Sequence, residues 1–237
     1  MNADEFLNLY KELERVLFEK YGRAGDKYEN CVLRFLNSRE GAVFKDRLDI
    51  CREMRNVLTH YPVENGQYVF QPSDEVIEDL RAIVKTIEYP LTANDLAIKN
   101  IFTVSRDTAV KQAVSTMSEK GFSHAPIIDE GKLTGVFSIS TLLSYALKYG
   151  GALLSEATKV GDFEEFLSIN AHSGEYFDFA SPQASPVAVE KMFSDKKGRK
   201  RLVIVFLTES GRSGGKVKGM LTPWDMLSAK NTFREML

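Results

Sequence analysis

The sequence predicts an α+β protein of two domains: an α-helical bundle over residues 1–90, then a tandem β-α-β-β-α repeat over residues 91–237. Three observations carry this prediction. Apolar residues recur at helical spacing from the start of the chain to Pro90. Beyond Leu91, short β-rich runs alternate with helical stretches. That alternation occurs twice, with copies at about 91–150 and 156–237 that end alike: Gly135-Val-Phe-Ser138-Ile-Ser-Thr141 against Gly219-Met-Leu-Thr222-Pro-Trp-Asp225.

The first helix begins at a capping-box pattern, Asn2 with Glu5. Its stripe is Phe6, Leu9/Tyr10, Leu13, Val16/Leu17 and Tyr21, and Gly22 stops it. Tyr28, Cys31/Val32 and Phe35/Leu36 mark a second helix, and a third runs from about Val43 to Tyr61, where Pro62 blocks it. Asn65-Gly66 predicts a tight turn between two short extended pieces. Ser73 opens the fourth helix, with Asp74 and Glu75 favouring its N-terminal dipole. Its face is Val76/Ile77, Leu80, Ile83/Val84 and Ile87, and Pro90 ends it. Four such stripes bury themselves only against each other or a partner chain.

In the first copy, extended Ile101–Val104 leads to a helix at Ala109–Lys120, then to a hairpin of His124–Asp129 and Leu133–Phe137 about Glu130-Gly131-Lys132. A helix follows from near Ser140. In the second, Tyr176–Ala180 is extended and Pro186–Asp195 helical, and Arg201–Leu207 pairs with Val217–Leu221 before a closing helix at Pro223–Ala229. Gly211-Arg-Ser-Gly-Gly-Lys216 suggests a phosphate loop, but it joins two strands and lacks the Ser/Thr after Gly-Lys, so it reads as a hairpin loop.

Composition narrows the class. A net charge of −2 argues against bulk electrostatic binding to nucleic acid or membrane. No apolar window is long enough to span a bilayer, and the acidic start has no signal-like run behind it. Cys31 and Cys51 are too few for structural zinc and lack CxxC spacing, so no metal site is expected. These features predict a cytoplasmic protein with reduced thiols.

The β-α-β-β-α order, with glycine in the last strand and a hydroxyl residue opening the last helix, resembles the cystathionine-β-synthase (CBS) motif, whose tail reads roughly G-h-h-T/S-x-x-D, h being apolar. The resemblance covers about 91–237 and implies a regulatory CBS pair with two clefts. Such clefts hold AMP, ADP, ATP or S-adenosylmethionine and relay occupancy to an attached domain. Asp225, in the first turn of the closing helix, is expected to accept the ribose hydroxyls; Thr222 can turn its hydroxyl to a phosphate. Arg201 and Lys200 are the phosphate cations. His124 aligns with Arg201 in the first copy, as Ser138 and Thr141 align with Thr222 and Asp225. Main chain near Phe179-Ala180, or at Val104 in the other half, is expected at the adenine edge. Thr222 as N-cap, Pro223 at the first helical position and Asp225 also make a capping box that needs no ligand. Because Thr141 replaces the aspartate, one good site is predicted. His172 and Trp224 are expected in a loop and packed on the hairpin.

Arg55-Asn56-Val-Leu-Thr-His60 resembles the R-x4-6-H element of HEPN domains, helical bundles that include metal-independent ribonucleases. The resemblance implies a phosphate clamp at Arg55, proton transfer by His60 and orientation by Asn56, with RNA as substrate and the site composite across a homodimer. The alternative is an Arg55 ion pair with Asp49, Glu53 or a neighbouring helix, the bundle then being a dimerisation or partner-binding unit. No cofactor is required by either reading.

Overall fold

The computed structural model describes residues 2–61, 67–150, 155–195 and 198–228. The predicted Asn65-Gly66 turn, Lys196, Lys197 and the last residue of the predicted closing helix, Ala229, lie outside the described residues. The chain divides into two compact units, one reaching Pro90 and the other beginning at Leu91.

The first unit contains α1 (Asn2–Tyr21), α2 (Tyr28–Leu36), α3 (Lys45–His60) and α4 (Asp74–Glu88). The expected single third helix is divided: a 3-10 turn at Gly41–Phe44 precedes α3. Phe6, Tyr10, Leu13 and Leu17 of α1 are buried together with Cys31 and Phe35 of α2, Leu48 of α3 and Ile77, Leu80 and Ile83 of α4. Ser73 caps α4 by accepting from the Val76 N–H, as its sequence position suggests. Asn2 and Glu5 are used differently from the predicted box. Asn2 Nδ2 donates to the Pro72 carbonyl at 3.0 Å and to Asp74 Oδ1 at 2.7 Å, and Glu5 pairs with Arg81. Both residues thus join α1 to α4, because that helix offers acceptors and a cation that the start of α1 lacks.

The second unit opens with α5 (Ala93–Leu96) and α6 (Val110–Lys120). Strands β1 (His124–Asp129) and β2 (Lys132–Ser138) form an antiparallel hairpin. Glu130 (φ 50°) and Gly131 (φ 80°) are both left-handed, the conformation of a two-residue turn that matches strand twist. Then come α7 (Ile139–Tyr149) and α8 (Glu164–Leu167), followed by β3 (Glu175–Ala180), α9 (Pro186–Ser194), β4 (Arg201–Thr208) and β5 (Val217–Leu221). A last helix, α10, covers 223–228. β3 lies parallel to β4, and β4 antiparallel to β5.

The predicted strand Ile101–Val104 does not form; residues 101–105 have no regular structure. The Val104 N–H still reaches the Pro126 carbonyl at 3.1 Å. In a strand the N–H and C=O of one residue point to the same side, and proline has no N–H to return. In the second copy β3 and β4 do pair, with Val203, at the position equivalent to Pro126, passed over at a shift in register.

Each copy is completed by the segment that precedes the other. Ile98 and Met220 exchange two main-chain bonds, and Ala93 joins the core of Val189, Val205, Leu207 and Leu221. Correspondingly, Val110 N–H donates to Thr158 O and Val160 N–H to Thr108 O, while Val160, Phe163 and Leu167 are buried with Met117, Ile127 and Phe137. Gly135 and Gly219, the glycines of the repeated tail, stand where these segments press on the sheets. A Cβ on Gly135 would lie 3.0 Å from the Leu167 carbonyl oxygen, and one on Gly219 3.0 Å from Ala97 Cβ. Val136, Phe177, Ile204 and Phe206 form a further core that joins the two copies.

Candidate functional site

A cleft of ≈ 410 Å³ opens where strands of both copies begin. His124 starts β1, Glu175 starts β3 and Arg201 starts β4, in register with Glu175. With Ser123, Ser138, Ile139, Ser140, Leu202, Val203 and Pro223 they line the cavity. The structure therefore brings together three residues singled out from sequence, Arg201, His124 and Ser138. Lys200, Thr222, Asp225, Thr141, Phe179, Ala180 and Val104 do not line it.

Their placements have local causes. Ser138 caps α7, accepting from the Thr141 N–H at 3.3 Å while Thr141 Oγ1 accepts from the Ser138 N–H at 3.1 Å; both side chains are buried. The same box stands at α10 with a carboxylate in it. Asp225 Oδ2 accepts from the Thr222 N–H and the Thr222 hydroxyl, each at 2.7 Å. The Thr222 hydroxyl, expected to turn toward a phosphate, here donates to Asp225. Asp225 is likewise turned to its own helix start through one oxygen, the capping role that sequence also allowed. Oδ1 has no hydrogen bond among the described residues. Phe179 packs on Phe206, and Ala180 and Val104 are buried in the cores. Trp224 is 76% exposed and so is not packed on the hairpin. The two Thr222–Asp225 bonds already anchor the start of α10 without it.

Sequence reasoning missed the centre of the cleft. Glu175 Oε1 accepts from Ser140 Oγ at 2.7 Å, from His172 Nδ1 at 3.1 Å and from Ser138 Oγ at 3.3 Å. Oε2 faces His124 Nε2 at 3.0 Å. Burial pushes the Glu175 carboxyl up, but its bonds to His124, His172 and Ser140 together outweigh that and hold it well below the usual carboxylate range. His172, expected as a loop residue, is buried, with its ring edge-on to Phe177. Its Nδ1–H donates to Glu175, which leaves Nε2 buried without a hydrogen-bond partner among the described residues. The one sequence signal was an acidic residue at the start of a strand, next to Tyr176; nothing near it in sequence identifies its partners. Arg201 carries no ion pair among the described residues and is exposed to the cleft.

In the helical unit, Arg55, Asn56 and His60 do line one cleft of ≈ 420 Å³, with Tyr10, Glu14 and Arg52. Arg55, expected as a phosphate clamp, has its Nη2 on Glu14 Oε1 at 3.0 Å, and its guanidinium lies over the Tyr10 ring. The pairing with a neighbouring helix, one of those sequence allowed, forms because α1 places a carboxylate opposite α3. Asn56 Oδ1 accepts from Arg55 at 3.3 Å and makes no bond to His60. Burial pushes the Cys51 thiol up to about 11. Among the described residues no His, Cys, Asp and Glu cluster suits a metal ion, and no helix is long and apolar enough to cross a membrane.

The sequence matches none of the curated proteins. Among solved structures, CBSX2 in complex with AMP is 20% identical, with a TM-score of 0.42 over 60% of this chain and 98% of its own. The CBS domain pair of MJ0100, in complex with 5′-methylthioadenosine and S-adenosyl-L-methionine, is 19% identical, with a TM-score of 0.42 over 60% and 98%. An uncharacterized conserved protein from Pyrococcus horikoshii is 19% identical, with a TM-score of 0.42 over 59% and 91%. Residues 93–148, from the start of α5 almost to the end of α7, match the CBS domain family.

Proposed function

We propose that the second unit is a regulatory sensor that binds an adenine nucleotide (AMP, ADP or ATP) and relays its occupancy to the helical unit of a homodimer. The observation that carries this reading is the ≈ 410 Å³ cleft lined both by Arg201, free of any ion pair among the described residues, and by Ser138 and Ser140. A guanidinium with hydroxyl donors at a helix start is the chemistry that binds a phosphate. The family match over residues 93–148 supports the same reading. Asp225 Oδ1 is the remaining acceptor for a ribose hydroxyl at the α10 end. Arg201 favours phosphate at the ribose 5′ position over the methionine chain of S-adenosylmethionine.

Calorimetric titration of the full chain with AMP, ATP and S-adenosylmethionine tests this, with Arg201→Ala beside the wild type. The expected order is ATP or AMP ahead of S-adenosylmethionine, with AMP weakened about tenfold in Arg201→Ala. No heat from any of the three at millimolar concentration would sink the sensor. A change in sedimentation on adding nucleotide is the expected sign of the relay.

A further inference from the structure

The donors around Glu175 are those of an oxyanion site. Two serine hydroxyls and two imidazole nitrogens, from Ser138, Ser140, His124 and His172, converge on one carboxylate at the first turn of α7. The positive end of that 11-residue helix's dipole lies at the same place, with its Ile139 and Thr141 N–H groups already bonded to the Ser123 carbonyl and the Ser138 hydroxyl. Arg201 on the neighbouring strand adds a full positive charge to the cleft wall. His124 comes from β1, His172 from the loop before β3 and Arg201 from β4, and Glu175 is the one acidic residue among those lining the cavity. A second anion in this cleft would meet a carboxylate whose Oε1 already has three donors.

We propose that Glu175 is an internal competitor for this seat: a phosphate group takes the serine and histidine donors only when the Glu175 carboxylate swings out. The residue then sets both the affinity of the cleft and its selection against multiply charged ligands. This builds on the nucleotide reading, but the seat itself takes any tetrahedral oxyanion and is testable without adenine. Like charges about 4 Å apart near a protein surface repel strongly enough to cost tenfold or more in affinity. Adenosine, lacking phosphate, is not opposed in this way.

The test is titration of the full chain, wild type and Glu175→Gln, with inorganic phosphate, AMP and adenosine at fixed pH and ionic strength. Glutamine keeps the shape and one acceptor oxygen but removes the charge. Phosphate is expected to bind Glu175→Gln about tenfold tighter or more, and AMP to follow, with adenosine changed less than about twofold. Equal or weaker phosphate binding by the variant overturns the competitor. AMP binding both forms equally keeps the nucleotide reading and overturns the competitor; tighter phosphate with no AMP binding supports the competitor and removes the nucleotide. Should Glu175→Gln not fold, the wild type decides. Phosphate must shift the imidazole NMR signals of both His124 and His172, and no movement of either overturns the proposal.

Discussion

Replacing Gly135 with alanine puts a methyl group where β2 meets the exchanged segment. The added Cβ would sit 3.0 Å from the Leu167 carbonyl oxygen, 3.3 Å from Leu167 Cβ and 3.4 Å from Ile127 Cδ1. The first of these is backbone, so no flexible side chain end can give way. Either β2 or the α8 segment has to move by a few tenths of an ångström, in a core where Ile127, Phe137, Phe163 and Leu167 are fully buried. Overpacking of this kind costs about 1–3 kcal/mol, against a gain of about 0.4–1 kcal/mol from a less flexible unfolded chain. The net expectation is a loss of roughly 1–2 kcal/mol. Gly219→Ala should cost a similar amount, since its Cβ would meet Ala97 Cβ at 3.0 Å and the Ile98 carbonyl oxygen at 3.1 Å. Gly174→Ala is the control: nothing lies within 4 Å of its Cβ, and the unfolded-state gain should stand alone. Scanning calorimetry of the three variants should show falls of about 3–6 °C for the first two and no fall for the third. If Gly135→Ala and Gly174→Ala behave alike, the exchanged segments do not press on the strands as described.

Glu175 should make the second unit acid-sensitive. Its folded pKa lies below its unfolded value, so its contribution is fully present above about pH 4.5 and is lost as pH falls through the folded value. Below about pH 4.5 the denaturation midpoint of Glu175→Gln should fall less steeply than that of the wild type, and at neutral pH the variant should be about 1–3 kcal/mol less stable. A steeper acid dependence in the variant would contradict the sign. In the helical unit, the Arg55 and Glu14 side chains are 20% and 12% exposed, so a double-mutant cycle should give a coupling of about 1–2 kcal/mol in urea unfolding, between the surface and buried limits. With Arg55 held by Glu14, RNA incubated in EDTA should be cut no faster by wild type than by His60→Ala; faster cutting by wild type would restore the nuclease reading. Ser73→Ala should cost about 0.5–1 kcal/mol, at the low end for a cap because the bond to Val76 is long at 3.4 Å.

The sequence by itself determined the elements whose causes are local. The α1 and α4 stripes, the Ser73 cap, the Glu130-Gly131 turn and the hydroxyl boxes at α7 and α10 each depend on residues no more than a few positions apart. Periodicity and capping express such neighbours directly. Even the repeated glycine was legible, though not its purpose. Only the tertiary structure decided which segment completes which copy, because Ala93 and Val160 bury apolar surface against sheets that either copy could have offered. It also decided the cleft. Glu175 reaches His124 and Ser138 across separations of 51 and 37 residues, and Arg55 reaches Glu14 across 41. A carboxylate finds its donors through the packing of strands, and neither the spacing nor the type of its neighbours along the chain records that meeting.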